Sequence, residues 1–465
     1  MRFEFVHAAD IHLGNEQYNL DQRFDDFAKA YFAMVDYAID HRVDFVLIAG
    51  DLFHQARTDA RTLNQAVVGL ERLHGAGIPV IAIEGNHDVQ HYYKNLSWME
   101  FLVSRGLLML LDKERAESGL IRLVPYDRER EAGSWIDVAG ARVYGLKYHG
   151  VATSRLLEDL ADDIEPGPGG YTIFMLHQGM QGQVPHLRGG LTSGQLGPLL
   201  PAVDYIALGH VHKRLQEDPV FNPGSLETNS VDEAEWEHGF FHVRVDTERK
   251  PKHQITAVST PGLRQFHRIV ATSDGTETLE EYVRKVEAAV AKAANIGPGS
   301  VIELQLSGTA GFRRQDVPLE SIKAAIEIRH RPLTVRIRNS LAPPGIVQRS
   351  SYDRTTRADL EEQTVRQIVG NSAEHRDQRE AWTRLILDVK NMASEKDLPA
   401  NVADRVRTSL QAMAEDPPTP GALPQDDEAA APELPLLRLV PDIPEDSGAP
   451  KAKEFAATDG SGDSW

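Results

Sequence analysis

Through about the first 245 residues, short apolar runs alternate with amphipathic stretches. The runs are FEFVHAA, VDFVLIA, IPVIAIE, YTIFMLH and VDYIALG, starting at residues 3, 43, 78, 171 and 203. Each is short and most are rich in β-branched residues, the composition of a strand buried on both faces. Between the first two, Phe24, Phe27, Ala28, Tyr31, Val35 and Ile39 recur at helical spacing. This order predicts an α/β fold, a layered sheet arrangement with helices on its outer faces. A smaller α+β unit is predicted over 261–345. There a helical pattern (Leu279, Tyr282, Val283, Val286, Val290) leads to VIELQLSG, and LESIKAAIEIR leads to LTVRIRN. Ala342-Pro343-Pro344-Gly345 reads as a linker. Two amphipathic helices are predicted between 372 and 413, giving the region 346–412 its helical character. One carries Trp382, Leu385, Ile386, Val389 and Met392, the other Val402, Val406, Leu410 and Met413.

Charge separates the remainder. The 465 residues hold 50 Lys plus Arg and 69 Asp plus Glu, a net of −19, which excludes a basic nucleic-acid-coating protein at the level of the whole chain. Residues 413–465 contain twelve acidic and three basic residues and nine of the 26 prolines, so this segment is predicted to be a disordered acidic tail. Residues 310–360 run the other way, with ten Lys or Arg against five Asp or Glu. The opening MRFEFVHAAD has no long apolar stretch, and eighteen consecutive apolar residues occur nowhere. Neither a signal peptide nor a membrane span is therefore expected, and a cytoplasmic location is. With no cysteine, thiolate zinc sites, iron–sulfur clusters and cysteine nucleophiles are excluded, and any metal must be held by nitrogen and oxygen.

The five apolar runs of the first domain, 1–260, all end in such ligands. They lead into Asp10-Ile11-His12, Gly50-Asp51, Gly85-Asn86-His87-Asp88, His177 and Gly209-His210-Val211-His212. In open α/β sheets, ligands gather at the carboxyl ends of the strands. Asp10, Asp51 and Asp88 brought together would repel one another and carry raised pKa values, a penalty that a divalent cation removes. A mixed Asp, His and Asn set suits Mn²⁺, Fe²⁺ or Zn²⁺ better than Mg²⁺ or Ca²⁺. Gly50, Gly85 and Gly209 precede ligands where the chain must turn sharply, with positive φ available to glycine. Taken singly, each motif has a plainer reading as a turn or a satisfied histidine. Their joint placement is what points to a metal centre.

The strings HAADIHLG, LIAGDLFH, AIEGNHD, LHQG, ALGHVHK and NPGSLETNS resemble those of calcineurin-like metallophosphoesterases, and within them of SbcD-type DNA double-strand-break repair nuclease subunits. The resemblance implies a β-sandwich nuclease domain with a smaller capping domain that helps bind DNA. It implies two divalent metal ions, usually Mn²⁺. Asp10, His12, Asp51 and His212 would hold one, and Asp51, Asn86, His177 and His210 the other, with Asp51 bridging. His87 would be the catalytic non-ligand histidine facing the phosphate, with Asp88 fixing its tautomer, and His54 would stand nearby. The implied activities are 3′-to-5′ exonuclease on double strands and endonuclease on single strands. The implied partners are DNA, a second copy of the chain and an SbcC-type coiled-coil ATPase docked on the C-terminal helices. Consistent with a separate ATPase, the sequence contains no G-x-x-x-x-G-K-[ST] phosphate loop.

Two other readings remain open at this point. One keeps the fold and makes the substrate a small phosphodiester or phosphomonoester. The other makes the chain a DNA-end scaffold. The basic excess over 310–360 reads equally as a DNA contact or as a solvated face. Among the remaining histidines, His7 reads as a core residue, His41, His74 and His91 as surface residues, and nothing marks His149 or His186.

Overall fold

A computed structural model describes residues 1–89, 96–115, 121–185, 189–342, 361–362, 365–366, 369, 378–394 and 399–415. The chain divides into two compact units, Met1–Arg349 and Ser350–Trp465. Strands of the first unit are, in order, β1 (Arg2–Ala8), β2 (Phe45–Ala49), β3 (Val80–Ile83), β4 (Met109–Leu110), β5 (Glu114–Arg115), β6 (Ile121–Arg122), β7 (Trp135–Val138), β8 (Ala141–Leu146) and β9 (Tyr171–Leu176). They continue with β10 (Tyr205–Leu208), β11 (Leu215–Glu217), β12 (Val220–Asn222), β13 (Gly239–Asp246), β14 (His253–Ser259), β15 (Phe266–Asp274), β16 (Val301–Thr309) and β17 (Thr334–Asn339).

Two six-stranded sheets, ordered β14-β13-β1-β2-β3-β4 and β11-β12-β10-β9-β8-β7, pack face to face. Strands β1-β2-β3-β4 of the first sheet and β12-β10-β9-β8 of the second pair in parallel, while β13 pairs antiparallel with β1 and β14, β11 with β12, and β7 with β8. Alternate side chains explain the continuous apolar runs. Phe5, Phe45, Leu47 and Ile81 point between the sheets, against Ile173, Met175, Tyr205 and Phe221. The Phe5 and Phe45 rings stack at 5.0 Å, and Tyr205 meets Phe5 edge-on at 5.3 Å. Val6, Ala8, Val46 and Ile48 point outward, against helices Asp21–Asp40 and Ala60–Gly75. Both faces of the central strands are thus dry, as parallel strands between crossover helices require. The ligand-bearing strand ends consequently belong to two sheets, β1, β2 and β3 in one and β9 and β10 in the other, and not to the edge of a single open sheet.

Residues 266–339 form a third sheet of three parallel strands, β15-β16-β17, whose crossover helices Leu279–Lys292 and Leu319–His330 cover one face. The first helix opens with a capping box between Thr278 and Glu281. This sheet is anchored to the sandwich through buried charge. Arg23, fully buried, donates to Asp26 at 2.8 Å and to the Thr228 carbonyl at 2.7 Å, lies 3.4 Å from Glu227, and stacks under Phe266. Arg264 reaches Asp26 from the other side at 2.8 Å. Arg336 sits over the Tyr18 ring at 4.6 Å.

In the second unit, helices Arg379–Ser394 and Pro399–Glu415 pair, with Arg405 bound to Asp388 at 3.1 Å. Leu385 is buried, whereas Ile386 and Leu410 are 41% and 42% exposed. The last helix runs through Met413–Glu415, three residues into the expected tail. Its Ala and Met continue the helix, and it stops just before Asp416-Pro417, where a residue preceding proline disfavours helical geometry. The rest of the expected acidic tail, 416–465, lies outside the described residues, as do the 343–345 part of the linker, His91, His186 and the basic residues Arg349, Arg354 and Arg357.

Candidate metal centre

The loops leaving β1 and β2 are laced together by backbone bonds. Asp10 N–H donates to the Gly50 carbonyl, Ile11 and His12 N–H to Asp51, and Leu13 N–H to Leu52. Four ligand-type residues here, none of them glycine, hold left-handed backbone: Asp10 (φ 51°), His12 (φ 52°), Asp51 (φ 54°) and His210 (φ 78°). Such geometry costs about 1–3 kcal/mol per residue and persists only where the surroundings impose it, as at functional sites. Of the glycines, Gly50 has positive φ (+90°) as expected. Gly85 and Gly209 do not. They are required for space, since a Cβ on Gly85 would lie 2.1 Å from Asp51 Oδ1 and one on Gly209 2.3 Å from the Ala49 carbonyl oxygen.

All seven expected ligands converge. Asp10, His12 and His212 each offer a ligand atom within 4.8 Å of the others, and so do Asp10, Asp51 and His177. Asn86 Oδ1 lies 3.1 Å from His177 Nε2 and 2.8 Å from His210 Nδ1. Asp51 Oδ2 stands between the two groups, 3.2 Å from His177 Nε2 and 3.9 Å from His12 Nε2. Asp10, His12, Asp51 and His177 are buried, while Asn86, His87, His210 and His212 line the open side.

The histidine tautomers are set from behind. His177 Nδ1 donates to the Ala49 carbonyl at 2.7 Å, and His212 Nδ1 to Glu233 at 3.0 Å. Their Nε2 lone pairs are thereby aimed inward, a common arrangement behind metal-binding imidazoles. Donors then run short. His12 Nε2 meets His212 Nε2 at 3.1 Å, and His177 Nε2 meets the acceptor oxygen of Asn86. Asp10 Oδ2 and His12 Nδ1 are buried without a hydrogen-bond partner. Facing acceptors and orphaned buried atoms in an O/N set fit divalent cations, the group the donor chemistry calls for.

The charges agree. Burial pushes Asp10 up to about 6, opposed by His177 and His212 and assisted by Asp51. Burial also acts on Asp51, but its bond and charge interaction with His177 hold it well below the usual carboxylate range, correcting the expectation that all three aspartates are raised. Against its own burial, His177 is pushed up to about 9, chiefly by Asp51. A proton there supplies positive charge that a bound cation would supply instead.

Asp88 does not touch His87. Its carboxylate accepts from the backbone N–H groups of Phe53 (2.9 Å), Gly85 (3.0 Å) and Leu52 (3.3 Å), and burial pushes it up to about 8. Three clustered N–H groups draw this carboxylate away from the imidazole. The expected tautomer-fixing role falls instead to the His54 carbonyl, which accepts from His87 Nδ1. His87 N–H donates to Asp51 Oδ1 at 2.9 Å. One ring nitrogen from each of His12, His54 and His87 lies within 4.8 Å of the other two. Outside the site, His7 is a core residue bonded to Tyr205 and the Leu208 carbonyl, and His41 and His74 are exposed, as expected. His149 is half-buried beside Lys113 and Asp112.

Glu233 and the carbonyls of Ala49 and His54 escape sequence reasoning. Carbonyls carry no residue signature, and Glu233 is one of several acidic residues in a turn.

The model of the calcineurin-like phosphoesterase family matches residues 3–214. Residues 3–214 form a calcineurin-like phosphoesterase domain. Proteins of this family use divalent metals, and the clustered carboxylates and imidazoles of the phosphoesterase domain are where such ions would bind. Similar curated proteins include the DNA double-strand break repair protein Mre11 of Archaeoglobus fulgidus, 33% identical over 245 residues, covering 50% of this chain and 52% of that protein. The Mre11 proteins of Saccharolobus solfataricus (29% over 211 residues, 45% and 50%) and Methanocaldococcus jannaschii (31% over 227 residues, 48% and 54%) are also similar. The chain spans about half the length of these curated relatives.

Proposed function

We propose that this chain is a two-metal DNA nuclease of the SbcD type, acting in double-strand-break repair. The observation that carries the proposal is the convergence of Asp10, His12, Asp51, Asn86, His177, His210 and His212 around buried, donor-starved oxygen and nitrogen atoms, with His87 beside them. The names of the similar proteins supply the DNA substrate.

Asp10, His12, Asp51 and His212 would hold one ion and Asp51, Asn86, His177 and His210 the other, with Mn²⁺ the proposed metal. The chemistry that bound cations would supply there is neutralisation of the phosphodiester charge and activation of a water molecule at neutral pH. The protein's own groups do the rest. Asp51 is fixed by the His87 N–H, and Ala49 and Glu233 fix the imidazoles that face inward. With Nδ1 committed to the His54 carbonyl, His87 has Nε2 left to donate a proton to a phosphate or leaving-group oxygen.

The proposed activities are 3′-to-5′ cleavage of double strands and internal cleavage of single strands. A domain boundary near residue 260 would separate the nuclease domain from the β15–β17 sheet, the proposed capping domain. That sheet's uncovered face carries Arg336 and Arg338 and suits a phosphate backbone. Exposed Ile386 and Leu410 on the C-terminal helices suit docking on an SbcC-type coiled-coil ATPase, and exposed Val68 and Leu96 suit a homodimer contact. No helix among the described residues is long and apolar enough to cross a membrane, and a cytoplasmic site of action is part of the proposal.

Cleavage of a DNA duplex or hairpin in Mn²⁺, lost in Asp51→Ala, is the expected result. Turnover of a small aryl phosphate diester with no cleavage of DNA would overturn the nuclease reading and favour the small-substrate alternative.

A further inference from the structure

We infer that Glu233 is a positioning residue that couples one cation, the one assigned to His12 and His212, to the β15–β17 sheet, while the other cation is insulated from that sheet. This rests on the two-metal reading above and adds an asymmetry to it.

Both carboxylate oxygens of Glu233 are engaged. One accepts from His212 Nδ1 at 3.0 Å, and the other from the backbone N–H of Asn229 at 2.8 Å. Glu233 ends the short turn Val231–Glu233, and the two residues before it grip the third sheet. Val231 packs with Phe266 of β15 and Val301 of β16, with Tyr18 and Leu333 against the same cluster. Asp232 pairs with Arg268 of β15 at 2.7 Å, and Arg268 also binds Glu303 of β16 at 2.9 Å. Three successive residues thus connect the sheet to a metal-facing imidazole.

His12 is tied to the same segment. The Asn229 side chain accepts from Asn15 Nδ2 at 2.8 Å, and Asn15 N–H donates to the His12 carbonyl. Among the described residues, no hydrogen bond or ion pair ties His177 to the third sheet in this way. His177 is oriented by the Ala49 carbonyl, at the end of β2 inside the sandwich. A shift of the third sheet is therefore transmitted to His12 and His212 and not to His177. By linkage, filling the coupled position stiffens the sheet's attachment in return.

Mn²⁺ titration of the full chain by calorimetry and equilibrium dialysis tests this. Wild type should bind two ions. Glu233→Ala should weaken one by about 10–100-fold, as loss of a partner behind a metal ligand does, and leave the other in place. The retained ion reports that the domain is folded. Glu233→Gln keeps an acceptor for His212 but sets an N–H group against the Asn229 N–H, so it should fall between. Arg268→Ala touches none of the seven ligands and should weaken the same ion several-fold. Unchanged affinities in the Glu233 variants, or equal weakening of both ions, would overturn the positioning role. An unaffected Arg268→Ala would overturn the coupling to the sheet. A wild-type protein that binds no Mn²⁺ would instead overturn the two-metal reading.

Discussion

The imidazole of His87 donates through Nδ1 to the backbone carbonyl of His54, 2.6 Å away. The bond fixes the tautomer without using the carboxylate of Asp88, one residue on. His87→Ala should therefore reduce DNA cleavage by about 10²–10⁴-fold, the usual worth of a positioned proton donor, with two Mn²⁺ still bound. His54→Ala leaves the carbonyl in place and should cost less. Loss of bound metal in His87→Ala, measured by dialysis, would reassign His87 as a ligand.

Asp88 is bound to three backbone N–H groups, so its contribution is to stability and loop shape. Asp88→Ala would leave buried donors unmet, at about 1–3 kcal/mol each. A fall in unfolding free energy of about 3 kcal/mol or more is expected from urea denaturation. A variant as stable as wild type but inactive would restore a direct role for Asp88 in catalysis.

Gly85→Ala places a methyl group against Asp51 Oδ1. The same methyl meets the Asp51 backbone nitrogen at 2.5 Å, so the turns after β2 and β3 must move apart, and cation binding and cleavage should be lost together with a drop in stability. Circular dichroism and Mn²⁺ titration on the same sample separate the two effects.

Acid sensitivity should trace in part to His7. Burial lowers its pKa to about 3 in the folded state, against 6.5 when exposed. Between those values the unfolded chain binds a proton that the folded chain does not. Stability is then full above about pH 6.5 and declines as the pH falls toward 3, by up to about 1.4 kcal/mol per pH unit. His7→Gln should remove one proton's worth of that slope in urea titrations at stepped pH. An unchanged slope would place the acid sensitivity elsewhere.

Removing the Arg23 guanidinium strands Glu227 in a buried site and leaves Asp26 with Arg264 as its cationic partner. Arg23→Ala should cost about 3–5 kcal/mol, as loss of one partner from a buried ion pair does. Limited proteolysis should show the 266–339 segment released first. Proteolysis that begins inside the sandwich would show that Arg23 supports the core and not the junction.

The sequence by itself determined the main strand runs, the helix faces and the candidate ligand residues, because burial on both faces writes an apolar run and metal chemistry admits few residue types. Asp10, Asp51 and His177 could each be named from the strand that ends beside it. Which sheet each strand joins was decided only in three dimensions, since β1 and β9 are both short, mainly apolar runs and differ in their neighbours. Strand β13 pairs antiparallel with β1 from more than 230 residues away in sequence, and β14 extends the sheet beyond β13, a pairing that no local pattern encodes. The partners behind the site were decided there too. A carbonyl is present on every residue, so only the folded backbone selects His54 and Ala49. Glu233 meets His212 because a turn held by another sheet carries it there, a contact between distant segments that leaves no local trace in the sequence.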